Sequence, residues 1–110
     1  MIYTTKNLLQ DIIYSMEDLK DFEFLDNKEK NQFELHINNQ ISVIEYQIKG
    51  NRFVLLHTAV PEALQGRGIA KILVEKSLQV IDSYGMKIMP LCPYIVNYLN
   101  KNPAWDHLWK

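Results

Sequence analysis

The strongest constraint on this chain is a single change of hydrophobic period. From Phe22 to Val60 apolar residues come in short alternating runs separated by polar turns, and from about Gly68 they recur every three or four residues. Alternation marks strands and the longer period marks a helix. Strands joined by short turns form hairpins, whereas a helix between two strands makes a crossover. In "FEFLDNKEKNQFELHI" two strands flank a turn at Asn27 to Asn31. Phe33, Leu35 and Ile37 alternate there with Glu34 and His36, as in a half-buried strand. "ISVIEYQIKG" is a third strand and "RFVLLHTAV" a fourth, whose apolar density predicts burial on both faces. Pro61 has no amide to donate and closes the fourth strand. Ile69, Ile72, Leu73, Leu78, Val80 and Ile81 predict a helix that stops near Gly85. "MKIMPL" is a short fifth strand ended by Cys92-Pro93, and residues 94–101 form a short helix stopped by Pro103. Ahead of the strands, Leu9, Ile12, Ile13, Met16 and Leu19 predict an amphipathic helix over residues 5–20. The expected fold class is α+β: a compact, mixed, mostly antiparallel sheet of about five strands with helices packed on it and one β-α-β crossover.

At 110 residues the chain is expected to be one domain, with room for one core but not for two lobes around a cleft. Its net charge of -1 and its two arginines, Arg52 and Arg67, argue against nucleic acid as a partner. A lone cysteine, Cys92, precludes an internal disulfide and suits a reducing, cytoplasmic setting. The opening residues lack the basic leader and unbroken apolar stretch of a signal peptide. No apolar run approaches the roughly 20 residues of a membrane span. The stripe over residues 5–20 must be covered by the sheet or by a second copy of the chain, so a homodimer is one expectation. No metal site is expected.

The junction between the fourth strand and the long helix reads "VPEALQGRGIAKILVE". It is not a Walker loop: the glycine spacing is wrong and Ile72 follows Lys71 where Ser or Thr is required. It is not a dinucleotide fingerprint, because Lys71 stands at the third glycine position. It matches [QR]-x-x-G-x-[GA] completely, as Gln65-Gly66-Arg67-Gly68-Ile69-Ala70. Small residues let successive backbone amides approach a diphosphate, and the helix start adds positive potential. Arg67 adds a charge-assisted contact. The alternative is a plain turn relaxed by glycine. The order of strand, Val-Pro-Glu, motif and amphipathic helix favours binding of coenzyme A.

Together "NQFELHI", "IEYQI", "LHTAVPEALQGRGIAKILVEKSL", "KIMPLCPYIVNYL" and "NPAWDHL" resemble the GNAT acyltransferase superfamily, and within it the small, single-domain GNAT-like N-acetyltransferases. The resemblance spans residues 22–109, leaving the helix over residues 1–20 as an addition. It implies a compact GNAT fold short of the usual acceptor-binding region, acetyl-CoA as donor, and transfer to a small-molecule or protein amine. It implies that Val60 and the chain before Pro61 lie beside the pantetheine and thioester, with the pyrophosphate on the amides of Gln65 to Ala70. It places Cys92 where the fourth and fifth strands part to admit the acyl-pantetheine arm. Two positions depart from the pattern. Asn102 stands where a His-Pro pair is usual, and Leu99 occupies the place of a tyrosine that acts as general acid, with Tyr98 one residue earlier.

Acetyl transfer needs a neutral amine, a polarised thioester carbonyl and a proton for the departing thiolate. A backbone amide near Val60 can polarise the carbonyl. His57, three residues before Val60, is the candidate for proton transfer; the other reading is a structural histidine. Cys92 either accepts the acyl group, lines the pocket or packs. Tyr94 and Tyr98, four apart, border the pocket or pack as core. Trp105 and Trp109 are read as packing groups, His36 and His107 as surface groups, and Glu62 and Glu75 as facing solvent. The expected function is an acetyl-CoA-dependent N-acetyltransferase; the alternative is a non-catalytic module that binds coenzyme A.

Overall fold

The structure, a computed structural model, describes residues 22–110; the helix expected over residues 5–20 lies outside them. Five strands form one sheet in chain order: β1 Glu23–Asn27, β2 Gln32–Ile37, β3 Gln40–Lys49, β4 Arg52–Ala59 and β5 Lys87–Pro90. The first three pairings are antiparallel and β4 with β5 is parallel, the mixed sheet that hairpins followed by one crossover require. Asn31, Asn38, Asn39 and Gly50 take positive φ in the hairpin turns, the conformation that asparagine and glycine tolerate best. Between β4 and β5 run a 3-10 turn at Glu62–Leu64 and the long helix α1, Ile69–Ser83. The chain closes with α2 Pro93–Asn100, a 3-10 turn Pro103–Trp105 and α3 Asp106–Trp109. The last helix was not expected from the sequence.

The end of α1 shows how sequence sets a boundary. Gly85 adopts φ +73°. Its amide donates to Asp82 O, and that of Met86 donates to Ile81 O. This bond pair satisfies the last carbonyls of the helix and requires a left-handed residue at Gly85. One core unites the sheet and the helices. Phe33, Leu35, Ile37, Ile44, Phe53 and Leu55 from the strands pack with Leu73, Leu78 and Ile81 of α1 and with Ile95 and Leu99 of α2. Trp105 and Trp109 pack against its margin, as expected.

Three expectations need correction. β4 is buried only over Phe53, Val54 and Leu55; His57 and Ala59 are exposed, because β5 ends beside Leu55 and leaves the rest of the strand with one neighbour. Glu34 is not an outward-facing strand residue but 4% exposed. Its Oε2 accepts bonds from the side-chain amides of Asn27 and Gln32, and its Oε1 lies 2.8 Å from His36 Nε2. Glu75 does not simply face solvent, since Tyr98 Oη donates to its Oε2 over 2.9 Å.

Candidate active site

The site is built where β4 and β5 stop pairing. The parallel register runs from Arg52–Lys87 to Leu55–Pro90. Leu55 O then accepts both the Leu91 amide (2.9 Å) and the Cys92 amide (3.1 Å). Beyond this fork β5 turns into α2 and the rest of β4 keeps only β3 beside it. Alternate backbone groups of a strand with one neighbour have no ladder partner, so this end of β4 presents amides to the gap.

A β-bulge decides which side chains meet there. Glu45 pairs with His57 but Tyr46 pairs with Leu55, leaving Leu56 as an extra residue in β4. One extra residue inverts the alternation that follows it. Without it His57 would share the face of Phe53 and Leu55. With it Thr58 takes that face, opposite Ile44 in the core, and His57 turns to the other, opposite Glu45. Thr58 Oγ1 lies 3.4 Å from Cys92 Sγ. The structure therefore brings Cys92 to Thr58 and puts His57 and Cys92 on opposite faces of the sheet. Thr58 was missed in the sequence because nothing local signals the bulge.

Cys92 caps α2 and is 5% exposed. Burial pushes its thiol pKa up, but the hydroxyl of Thr58 and the backbone N–H groups of Ile95, Tyr94 and Thr58 outweigh burial and set it below the ordinary cysteine value. The hydroxyl of Thr58 is the group within hydrogen-bond distance of this sulfur. The sulfur sits at a helix start, where positive potential favours negative charge on sulfur.

The loop from Val60 to Ala70 borders the gap. Gln65 Nε2 donates to Val60 O over 3.0 Å and ties the two ends of the 3-10 turn together. Gly66 and Gly68 have φ of +79° and +77°, and a Cβ placed on either would meet no atom within 4 Å. Positive φ, rather than crowding within the protein, explains glycine here. Gly68 is the N-cap of α1. Val60, Leu64, Gln65, Gly66, Gly68, Ile69, Ala70 and Tyr94 line a cleft of about 230 Å³, so five of the six motif positions meet Tyr94 there. Arg67, the sixth, is exposed beside it.

A model of the family described as GCN5-related N-acetyl-transferase matches residues 32–108, from the second strand to the last helix. The chain belongs to this family. Protein NATD1 of Mus musculus is 35% identical over 85 residues, covering 74% of this chain and 77% of that protein. Protein NATD1 of Xenopus tropicalis is 30% identical over 100 residues, covering 88% and 92%. A solution structure from Staphylococcus aureus, described as GCN5-like, superposes with a TM-score of 0.64 at 22% identity, over 82% of this chain and 89% of that one. It shows a GNAT-like α+β fold.

Against the family pattern, Leu99 is fully buried in the core and available for no proton chemistry. Tyr98 lies mostly buried with its hydroxyl on Glu75; burial and that carboxylate raise its pKa. Tyr94, 43% exposed, borders both the loop cleft and a neighbouring cleft that it shares with Tyr98. Asn102 Nδ2 donates to Tyr98 O and so belongs to the end of α2. His107 lies 3.2 Å from Asp82 and His36 beside Glu34, both away from the gap. Among the described residues, no helix is long and apolar enough to cross a membrane.

Proposed function

We propose that this protein transfers the acetyl group of acetyl-CoA to an amine. The observation that carries the proposal is the fork at Leu55, which opens β4 beside a glycine-relaxed loop at the head of a 15-residue helix. In this reading the diphosphate lies on the amides of Gln65 to Ala70, with Arg67 beside it. Gly66 and Gly68 fit this role, since the space where a Cβ would stand is open. The pantetheine arm passes Val60 and enters the gap between Thr58 and Cys92, where a β4 amide polarises the thioester carbonyl.

The coenzyme comes from the face carrying the helices, and the acceptor meets the thioester from the face carrying His57. The amine nitrogen bonds to the carbonyl carbon and the carbon–sulfur bond breaks. His57 takes the proton that the nitrogen sheds, and the coenzyme thiolate is protonated from water. Transfer is direct. Cys92 lines the arm rather than carrying the acyl group, because His57, the available base, is on the opposite face from its sulfur.

The second reading is a module that binds coenzyme A without turnover. It rests on the surroundings of Cys92, where among the described residues the side chain bonded to the sulfur is the hydroxyl of Thr58 rather than a base. Release of free thiol from acetyl-CoA with a panel of amines separates the two. The transferase releases thiol only when an acceptor is present, slows with His57→Ala and keeps most of its rate with Cys92→Ala. Tight binding with no release for any amine supports the module. An acetylated Cys92 with acetyl-CoA alone, and loss of turnover in Cys92→Ala, would instead mark a covalent route.

A further inference from the structure

The cleft next to the glycine loop is not used by the chemistry above. It measures about 240 Å³ and is lined by Lys71, Tyr94, Asn97, Tyr98, Lys101 and Asn102. Lys71 stands in the first turn of α1 and Lys101 is the C-cap of α2, so one ammonium comes from each wall. Both lysines are exposed, and among the described residues neither is ion-paired. Among the described residues, no carboxylate lines the cleft. Glu75, one turn along α1 from Lys71, has its Oε2 on Tyr98. In a chain of net charge -1, two unpaired cations and amide side chains around a concave surface form a local anion site.

Its position identifies the anion. Tyr94 lines both this cleft and the loop cleft, so a ligand with its diphosphate on the loop has the second cleft directly across the tyrosine ring. Coenzyme A is such a ligand. One end of its diphosphate carries pantetheine, which the gap takes, and the other carries an adenosine with a phosphate on its 3′ oxygen. We propose that Lys71 and Lys101 hold this 3′-phosphate and that Tyr94 is the platform for the adenine ring, so that the protein discriminates coenzyme A from dephospho-coenzyme A. Asn97 supplies an exposed amide at the same wall. Lysine suits the task because a compact ammonium on a flexible stem adapts to a phosphate presented from solution. The proposal rests on the coenzyme A reading of the loop and adds the substrate class that the site prefers.

Calorimetry with coenzyme A and dephospho-coenzyme A, at low and at high salt, tests it on the full chain. The expected result is binding of coenzyme A about tenfold tighter or more at low salt, a preference that shrinks as salt rises. Lys71→Ala/Lys101→Ala is expected to bind both compounds alike, at the parent's affinity for dephospho-coenzyme A. Both lysines are exposed, so the fold should persist, as a melting curve will confirm. Equal affinity of the parent for the two compounds would overturn the proposal while leaving the loop reading intact. Undiminished preference in the folded double variant would also overturn it. Failure of the parent to bind either compound would remove the loop reading itself, and the proposal with it.

Discussion

At the scale of single residues, the site is organised by what surrounds a thiol and a carboxylate. The hydroxyl of Thr58 and three backbone amides keep the Cys92 pKa below the ordinary value against the effect of burial. Thr58→Val removes the hydroxyl and keeps the volume and β-branch, so the thiol pKa should rise. The rate of Cys92 alkylation near neutral pH should fall, and its pH profile should move to higher pH. An unchanged profile would show that Thr58 does not tune the sulfur. On the other face of the sheet, burial pushes the Glu34 pKa up, but bonds from Gln32, His36 and Asn27 outweigh it and the net shift is downward. A carboxylate depressed on folding adds stability above its unfolded pKa and loses it as pH falls through the folded value. Urea midpoints measured from pH 7 down to pH 3 should therefore fall for the parent. For Glu34→Gln they should start lower and fall less. Parallel curves would mean that Glu34 does not contribute to acid sensitivity.

At the scale of elements, the legibility of the sequence was uneven for physical reasons. Strand and helix periods are local, and so the five strands, α1 and α2 can be read from spacing alone. The Gly85 stop was legible because its left-handed turn needs a particular residue. The bulge at Leu56 was not, since it arises from pairing with β3 and leaves no mark in the run Leu55-Leu56-His57-Thr58. That single unread feature sends His57 to one face and Thr58 to the other. The burial of Glu34 was hidden for a similar reason: Asn27 meets it only through the β1–β2 hairpin, although Gln32 is its neighbour on the same face of β2. Deleting Leu56 is accordingly the sharpest test of the element. If Leu56 is the extra residue, its deletion should leave a regular ladder in which His57 still lies opposite Glu45 and Thr58 still lies opposite Ile44 beside Cys92. Amide exchange along β4 and Cys92 alkylation, both expected to stay close to the parent's, check this. A folded deletion variant in which His57 becomes buried and Cys92 alkylation departs from the parent's would show that Leu56 is not the residue that sets the faces.

At the scale of the whole molecule, the sheet, the crossover and the glycine loop form one arrangement. A parallel pair that ends early leaves a gap, the crossover starts at that gap, and the helix it begins has its first residues in the wall of the loop cleft. The motif residues that the sequence singled out, Gln65 to Ala70, do come together with Val60 and Tyr94 around one cleft, apart from exposed Arg67. The clefts were not legible, because they depend on α2 returning beside α1, whereas the parting of β4 and β5 at Cys92 was implied by the family resemblance and not by any local pattern. The central claim is that acetyl-CoA binds along this path, from the loop into the gap. A 1H–15N titration of the labelled protein with acetyl-CoA tests it directly. The account predicts saturable shifts concentrated at the amides of Gly66, Gly68, Ile69 and Ala70, at Thr58, and at Cys92, Tyr94 and Ile95, with the β1–β2 hairpin unmoved. Saturation with no change at the loop, or changes confined to the hairpin end of the sheet, would contradict it.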